Sequence, residues 1–208
     1  MKIVIISDSH SQHAALRLPM GDLLIHAGDL TTRGAPHEVA DFMQWYQAQP
    51  HPNKIVIAGN HDFFFERYTA DEVARVIPSN VTYLNDSGIT IAGLNIWGSP
   101  VSPWFYNWAF NRHPGNDIIR HWQLVPPGTD ILITHGPVYG LLDRKAGGNH
   151  VGCKDLLRKV EEIKPKLHVC GHIHEGYGLV QHGTTTFVNA SVLNEHYRHA
   201  HEPVVLEI

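Results

Sequence analysis

Cysteine is nearly missing from this chain of 208 residues. Cys153 and Cys170 are the two it has, and they form no CxxC pair. A disulfide framework is therefore excluded as the organising device, and a reduced, cytoplasmic setting is the expectation. Basic surplus is lacking as well: 16 Lys and Arg stand against 20 Asp and Glu, a net charge of −4. Such a balance gives no electrostatic hold on nucleic acid, so no stable nucleic-acid partner is expected. No apolar run approaches the length of a membrane span. The first apolar run, Ile3 to Ile6, is cut off by Asp8 and is too short for a signal peptide. Linkers, repeats and low-complexity tracts are absent too, and residues 1–208 read as a single domain. What the chain does have is 43% apolar residues, enough for a substantial core, and 17 histidines.

Five of those histidines fall into a recurring pattern. Lys54-Ile55-Val56-Ile57-Ala58 runs into Gly59 and then into Asn60-His61-Asp62. A short apolar run ended by a glycine reads as a strand buried on both faces, with the polar residues just past its C-terminal edge. The same design recurs. Lys2 to Ser7 leads into Asp8-Ser9-His10, Leu23 to Ala27 into Gly28-Asp29, Asp130 to Thr134 into His135-Gly136, and Lys166 to Cys170 into Gly171-His172-Ile173-His174. Five strand ends carrying His, Asp or Asn are best explained by one sheet edge that collects them, the place where open α/β folds put their ligands.

Between these strands the pattern predicts helices. A turn of helix is expected over 13–18. Pro36 suits the first position of a helix to about Gln49, with Val39, Phe42, Met43 and Tyr46 on its core side. Further helices are expected over 70–77, 116–124 and 153–163. Val81 to Leu84 and Ile89 to Trp97 read as a hairpin turning at Asn85-Asp86-Ser87-Gly88. Residues 100–112 read as an aromatic loop, and 184–188 and 204–208 as closing strands.

Asp8, His10, Asp29, Asn60, His135, His172 and His174 mix imidazole, carboxylate and amide donors. Seven groups are too many for one tetrahedral ion but suit two divalent ions that share a bridging carboxylate. Two ions roughly 3.5–4 Å apart are the usual clamp for in-line displacement at phosphorus. No cysteine is in the set, which argues against a purely structural zinc site.

The blocks DSH, GD, GNHD, THG and GHIH, in this order over residues 8–174, resemble those of the calcineurin-like metallophosphoesterases. PWFYNWAFNR and LHVCGHIHEGYG are similar to the subgroup of brain-expressed metallophosphoesterase-domain proteins and class III cyclic nucleotide phosphodiesterases. The resemblance implies an α/β fold, a four-layer sandwich of two mixed sheets flanked by helices. It also implies that Asp8, His10 and His174 hold one ion, that Asn60, His135 and His172 hold the other, and that Asp29 bridges them. Manganese, iron and zinc all suit the set. His61 would face the leaving group, and Arg33 would contact the phosphate. The implied activity is hydrolysis of small phosphodiesters, cyclic nucleotides of the 2′,3′ or 3′,5′ kind among them, through attack of a metal-bridging hydroxide. A phosphomonoesterase and a catalytically silent scaffold are the alternatives, and a homodimer is compatible with the sequence. Many relatives carry a carboxylate where this chain has Thr32, so another group must orient His61, with Asp62 or a backbone carbonyl the candidates. Purple acid phosphatases would want a tyrosine there.

Other residues read more plainly. Trp104, Phe105, Tyr106, Trp108 and Phe110 are expected to pack in loop or core, with stacking on a nucleobase as the alternative. His196, His199 and His201 read as solvated surface. His26 and His168 lie within strands as core or supporting residues, and Cys170 as a small strand hydrophobe.

Overall fold

A computed structural model describes all residues 1–208. In its first half the elements are β1 (Lys2–Ile6), β2 (Leu23–Ala27), α1 (Pro36–Gln47), β3 (Asn53–Ile57), α2 (Phe64–Arg67), α3 (Ala70–Val76) and β4 (Thr82–Tyr83). Next come β5 (Ser87–Ile91), β6 (Leu94–Ser99), the two-residue β7 (Ser102–Pro103) and β8 (Asn111–Arg112), and α4 (Asn116–Trp122). The chain continues with β9 (Ile131–Thr134), α5 (Lys154–Ile163), β10 (Leu167–Cys170), β11 (Gly178–His182), β12 (Thr185–Asn189) and β13 (Val204–Glu207).

Two mixed sheets result. The first has the order β13-β1-β2-β3-β4 and the second β11-β12-β10-β9-β6-β5. Strand alternation explains how they stack, because successive side chains point to opposite faces. Ile3, Ile5, Leu23, Ile25, Ile55 and Ile57 of the first sheet meet Ile96, Ile131, Ile133, Leu167, Val169 and Val188 of the second in one buried layer. The alternate residues Val4, Ile6, Leu24 and Val56 face outward onto Val39, Phe42, Met43 and Tyr46 of α1. On the far side, Leu132 and Phe187 pack on Ile118 and Trp122 of α4 and Leu156 and Val160 of α5. Helix, sheet, sheet, helix is the order of layers that the resemblance implies. No helix is long and apolar enough to cross a membrane.

Three local expectations are corrected. Residues 81–84 and 89–97 do not form a hairpin: β4 joins the first sheet beside β3, whereas β5 and β6 pair with each other in the second. The turn falls at Ala92-Gly93, both at positive φ (49° and 80°), inside the stretch that reads as one strand. β11 and the short α2 have no counterpart in the sequence reading. The aromatic loop over 100–112 is pinned by the β7–β8 bridge, which aligns Ser102 with Asn111 and Pro103 with Arg112.

Candidate metal centre

All five polar strand ends converge. β1, β2 and β3 of the first sheet deliver Asp8, His10, Asp29, Asn60 and His61, and β9 and β10 of the second deliver His135, His172 and His174. The chain leaves its strands abruptly: Asp8 (φ 55°), His10 (φ 40°), Asp29 (φ 56°) and His172 (φ 69°) are all in the left-handed region. Non-glycine residues rarely adopt it, and strain of this sort gathers at functional sites. Two glycines permit the crowding. A Cβ at Gly59 would fall on Asp29 Oδ1 and the Asp29 backbone nitrogen, and one at Gly171 would fall on Ser7 Oγ and Asp8 Oδ2.

Asp29 is at the centre. Its Oδ1 accepts the His61 backbone N–H at 2.8 Å. Its Oδ2 is 3.4 Å from His135 Nε2, 3.7 Å from His10 Nε2 and 4.0 Å from His61 Nε2. Three groups of convergent donors meet here: Asp8 with His10 and His174, Asp29 with His135 and His172, and Asp29 again with His10 and His61. Asn60 joins the second through Oδ1, 2.9 Å from His135 Nε2. Asp29 Oδ2 thus lies between a histidine of the first group, His10, and one of the second, His135.

Surrounding groups fix which ring nitrogen faces inward. His135 Nδ1 donates to the Ala27 carbonyl at 3.0 Å and His174 Nδ1 to the Asn194 carbonyl at 2.7 Å, leaving both Nε2 atoms toward the carboxylates. Asp8 accepts the His172 backbone N–H (2.9 Å) and the Ser191 hydroxyl (2.8 Å). Burial pushes the Asp8 and Asp29 carboxyls up, but the adjacent histidines outweigh it and hold both below the ordinary range. Burial also lowers His135 and His174, yet the charge of Asp29 on the first and the bond to Asp8 on the second raise each to about 9. His10 and His172, by contrast, are lowered by burial to about 4 and about 3.

This donor set fits divalent ions. Asp8 and Asp29 are 0% and 2% exposed, and no lysine or arginine pairs with either. Both ring nitrogens of His10 are buried without a protein partner. Buried charge and orphaned donors are costly unless something completes them. Oxygen and imidazole nitrogen, with no sulfur, are the ligands that suit Mn, Fe or Zn.

Above this floor opens a cavity of about 550 Å³. Trp104, Phe105, Tyr106 and Trp108 line it, whereas Phe110 is buried in the core, so the aromatic stretch divides between cavity wall and core. His61 is at the edge, its ring 4.3 Å from that of Trp108. Its Nδ1 donates to the Thr32 carbonyl at 2.8 Å, so of the two candidate orienting groups the backbone carbonyl holds it. Asp62 turns away and accepts from Gly59, Leu30 and Thr31. Arg33 is exposed over the Trp108 ring, 5.4 Å from its centroid, and does not line the cavity. Lys145, Val151 and Tyr197 do line it, and no motif announced them. His26 and His168 bond to Ser9 (2.9 Å) and Thr134 (2.8 Å) behind the site. His196, His199 and His201 join none of the convergent donor groups.

Comparison with known proteins agrees with this geometry. Residues 1–176 match the calcineurin-like phosphoesterase family. Human metallophosphoesterase domain-containing protein 1 is 43% identical over 232 residues, spanning 100% of this chain and 71% of that protein. A UPF0046 protein of Caenorhabditis elegans is 40% identical over 220 residues, spanning 100% of this chain and 75% of its own. Among solved structures, the phosphopantetheinyl hydrolase from Mycobacterium tuberculosis superposes with a TM-score of 0.61 at 15% identity, covering 94% of this chain and 90% of that one. At that identity the likeness concerns the fold.

Proposed function

Because the chain belongs to the calcineurin-like phosphoesterase family and is a metal-dependent phosphoester hydrolase, we propose that it holds two divalent ions and cleaves phosphodiesters, nucleotide esters and cyclic nucleotides in particular. Asp8, His10 and His174 would hold one ion, and Asn60, His135 and His172 the other, with Asp29 shared between them. Ions so held supply positive charge to the phosphoryl oxygens and acidify a water. The remaining work falls to the protein. In its imidazolium form His61 has one N–H committed to the Thr32 carbonyl and the other, at Nε2, free for the departing ester oxygen. As the water oxygen, its proton given up to solvent, bonds to phosphorus and the ester P–O bond breaks, the His61 proton passes to the leaving alkoxide, and His61 regains a proton from solvent. The products are a phosphomonoester and an alcohol, or the opened monoester of a cyclic nucleotide.

One observation carries the substrate class: a cavity of about 550 Å³ whose wall is Trp104, Phe105, Tyr106 and Trp108. Trp104 and Tyr106 are 47% and 76% exposed. Trp104 is stacked on His113 on one side; exposed aromatic surface in the cavity wall suits a flat base, and stacking on an aromatic is worth about 1–3 kcal/mol. Two buried, unpaired cysteines are consistent with a cytoplasmic setting. The test is a substrate panel with Mn-, Fe- and Zn-loaded protein. Bis-p-nitrophenyl phosphate and 2′,3′- or 3′,5′-cyclic nucleotides should give higher kcat/KM than p-nitrophenyl phosphate. The reverse ranking with every metal would make the protein a phosphomonoesterase.

A further inference from the structure

Arg33, the donor expected to grip the phosphate, packs over Trp108 without itself lining the cavity, which leaves room for a contact from the cavity wall. Excluding the candidate ligands and His61, the lining donors are the two indoles, Tyr106, Lys145 and Tyr197. The last three are all exposed to some degree, Tyr106 at 76% and Tyr197 at 49%, with Lys145 on the glycine-rich loop, so exposure does not separate them. Tyr197 alone among them has its ring seated against the ligand histidines, 4.9 Å from the ring of His10 and 5.3 Å from that of His174.

Its position is held from several sides. Tyr197 adopts φ 57°, a conformation costly for an aromatic residue. Its N–H donates to the Asn194 carbonyl at 2.8 Å, and its own carbonyl accepts from Gln12 Nε2 at 3.1 Å. The Asn194 side-chain oxygen accepts the N–H groups of His196 (3.0 Å) and Arg198 (3.1 Å), which closes the loop around it. The same Asn194 carbonyl receives His174 Nδ1, so one peptide group fixes both a ligand histidine and the tyrosine above it. Strain maintained by this many bonds persists when the surroundings over-determine it, which is common where a ligand is gripped. The Tyr197 hydroxyl, meanwhile, has no partner within the protein, and a phenol is a protonated donor at neutral pH.

We propose that Tyr197 is a substrate-binding residue whose hydroxyl donates a hydrogen bond to a non-bridging oxygen of the phosphoryl group seated over Asp29. The inference rests on the phosphoesterase reading and adds to it the protein's own phosphate contact. A donor with no charge suits this place, since it stabilises the phosphoryl oxygens without competing with ions for the carboxylates below.

The experiment uses the full chain loaded with Mn²⁺ and inorganic phosphate as probe. Tyr197→Phe keeps the ring against His10 and His174 and removes the hydroxyl alone, so metal content and melting temperature should match the original protein. Phosphate affinity by calorimetry and kcat/KM for bis-p-nitrophenyl phosphate should each fall about 10- to 100-fold, the loss typical of a hydrogen bond to a charged group. Unchanged phosphate affinity in Tyr197→Phe overturns the proposal, as does failure of the unaltered protein to bind phosphate. So does a loss in Lys145→Met with none in Tyr197→Phe, which would give the contact to the lysine. Tyrosine-dependent phosphate binding without turnover of any ester would sustain this contact and defeat the diesterase reading instead.

Discussion

The His61 ring is tied to the backbone of Thr32, Nδ1 donating to its carbonyl oxygen at 2.8 Å. Thr32 has no carboxylate to offer, and the protein uses the peptide group of that residue instead. The peptide is itself held, because Glu38 accepts the N–H groups of Thr32, Arg33 and Ala35 at 3.1, 3.2 and 2.9 Å.

The first expectation concerns that ring. His61→Ala should slow hydrolysis of a nucleotide ester by about 10²–10⁴-fold, the usual worth of general acid help. Hydrolysis of a p-nitrophenyl ester should suffer far less, because its phenolate leaves unaided. Thr32→Ala should stay close to the original rate, since the orienting oxygen belongs to the main chain. Equal losses on both esters in His61→Ala, with metal retained, would refute the leaving-group role.

Asp29 places one oxygen between both donor groups, so its loss should be felt on both sides. Asp29→Asn is expected to lower Mn content toward zero and to cut activity by more than about 100-fold. Elemental analysis after Mn loading checks it. A variant that keeps two ions per chain would show that the carboxylate is not shared.

His168 gives a pH dependence of stability. Burial lowers its pKa to about 3, against about 6.5 in an unfolded chain. Between those values the unfolded state binds the extra proton, so stability is lost as pH falls through 6.5. From pH 7 to pH 5 this one group should cost on the order of 2 kcal/mol. His168→Phe should flatten the slope of urea midpoint against pH over that window by up to one proton. An unaltered slope would mean that the residue is protonated in the native protein.

Gly171 leaves no room for a methyl group, since a Cβ there would strike Ser7 and Asp8. Gly171→Ala should destabilise the fold by about 1–3 kcal/mol, the usual cost of overpacking, and lose metal with it. A melting temperature equal to that of the original protein would show that the Asp8 turn can yield.

The five strand ends were legible because a strand buried on both faces becomes a continuous apolar run, and the polar residues after it stand out. The expectation of one sheet edge is corrected, because β1, β2 and β3 end in the first sheet and β9 and β10 in the second. Stacking of the two sheets brings the ends together, and no single strand's pattern announces that; the division of ligands around Asp29 was implied by the resemblance alone. Other parts left no trace. The turn at Ala92-Gly93 was hidden because alanine is not a turn former, while Asp86-Ser87-Gly88 nearby carries turn chemistry without reversing the chain. The left-handed φ of Asp8, His10, Asp29 and His172 is imposed by tertiary contacts, so no local pattern shows it. Tyr197 belongs to no motif, and its place over His10 depends on hydrogen bonds to Asn194 and Gln12, distant from each other in the chain.

The seven candidate ligands are divided between two sheets, which has a consequence for assembly. In the first sheet β1, which leads to Asp8 and His10, pairs with β2 on one side and with β13 on the other. A molecule with only one sheet formed would complete neither donor set, since Asp8 and His10 need His174 from the second sheet and His135 and His172 need Asn60 from the first. Ion uptake would then be a late event that reports docking of the sheets, and a bound ion would act as a latch across the seam. At one hundred times its dissociation constant, an ion that binds only the closed form adds about 2.7 kcal/mol against unfolding. The resting protein's resistance to heat should therefore rise and fall with the free metal concentration around it.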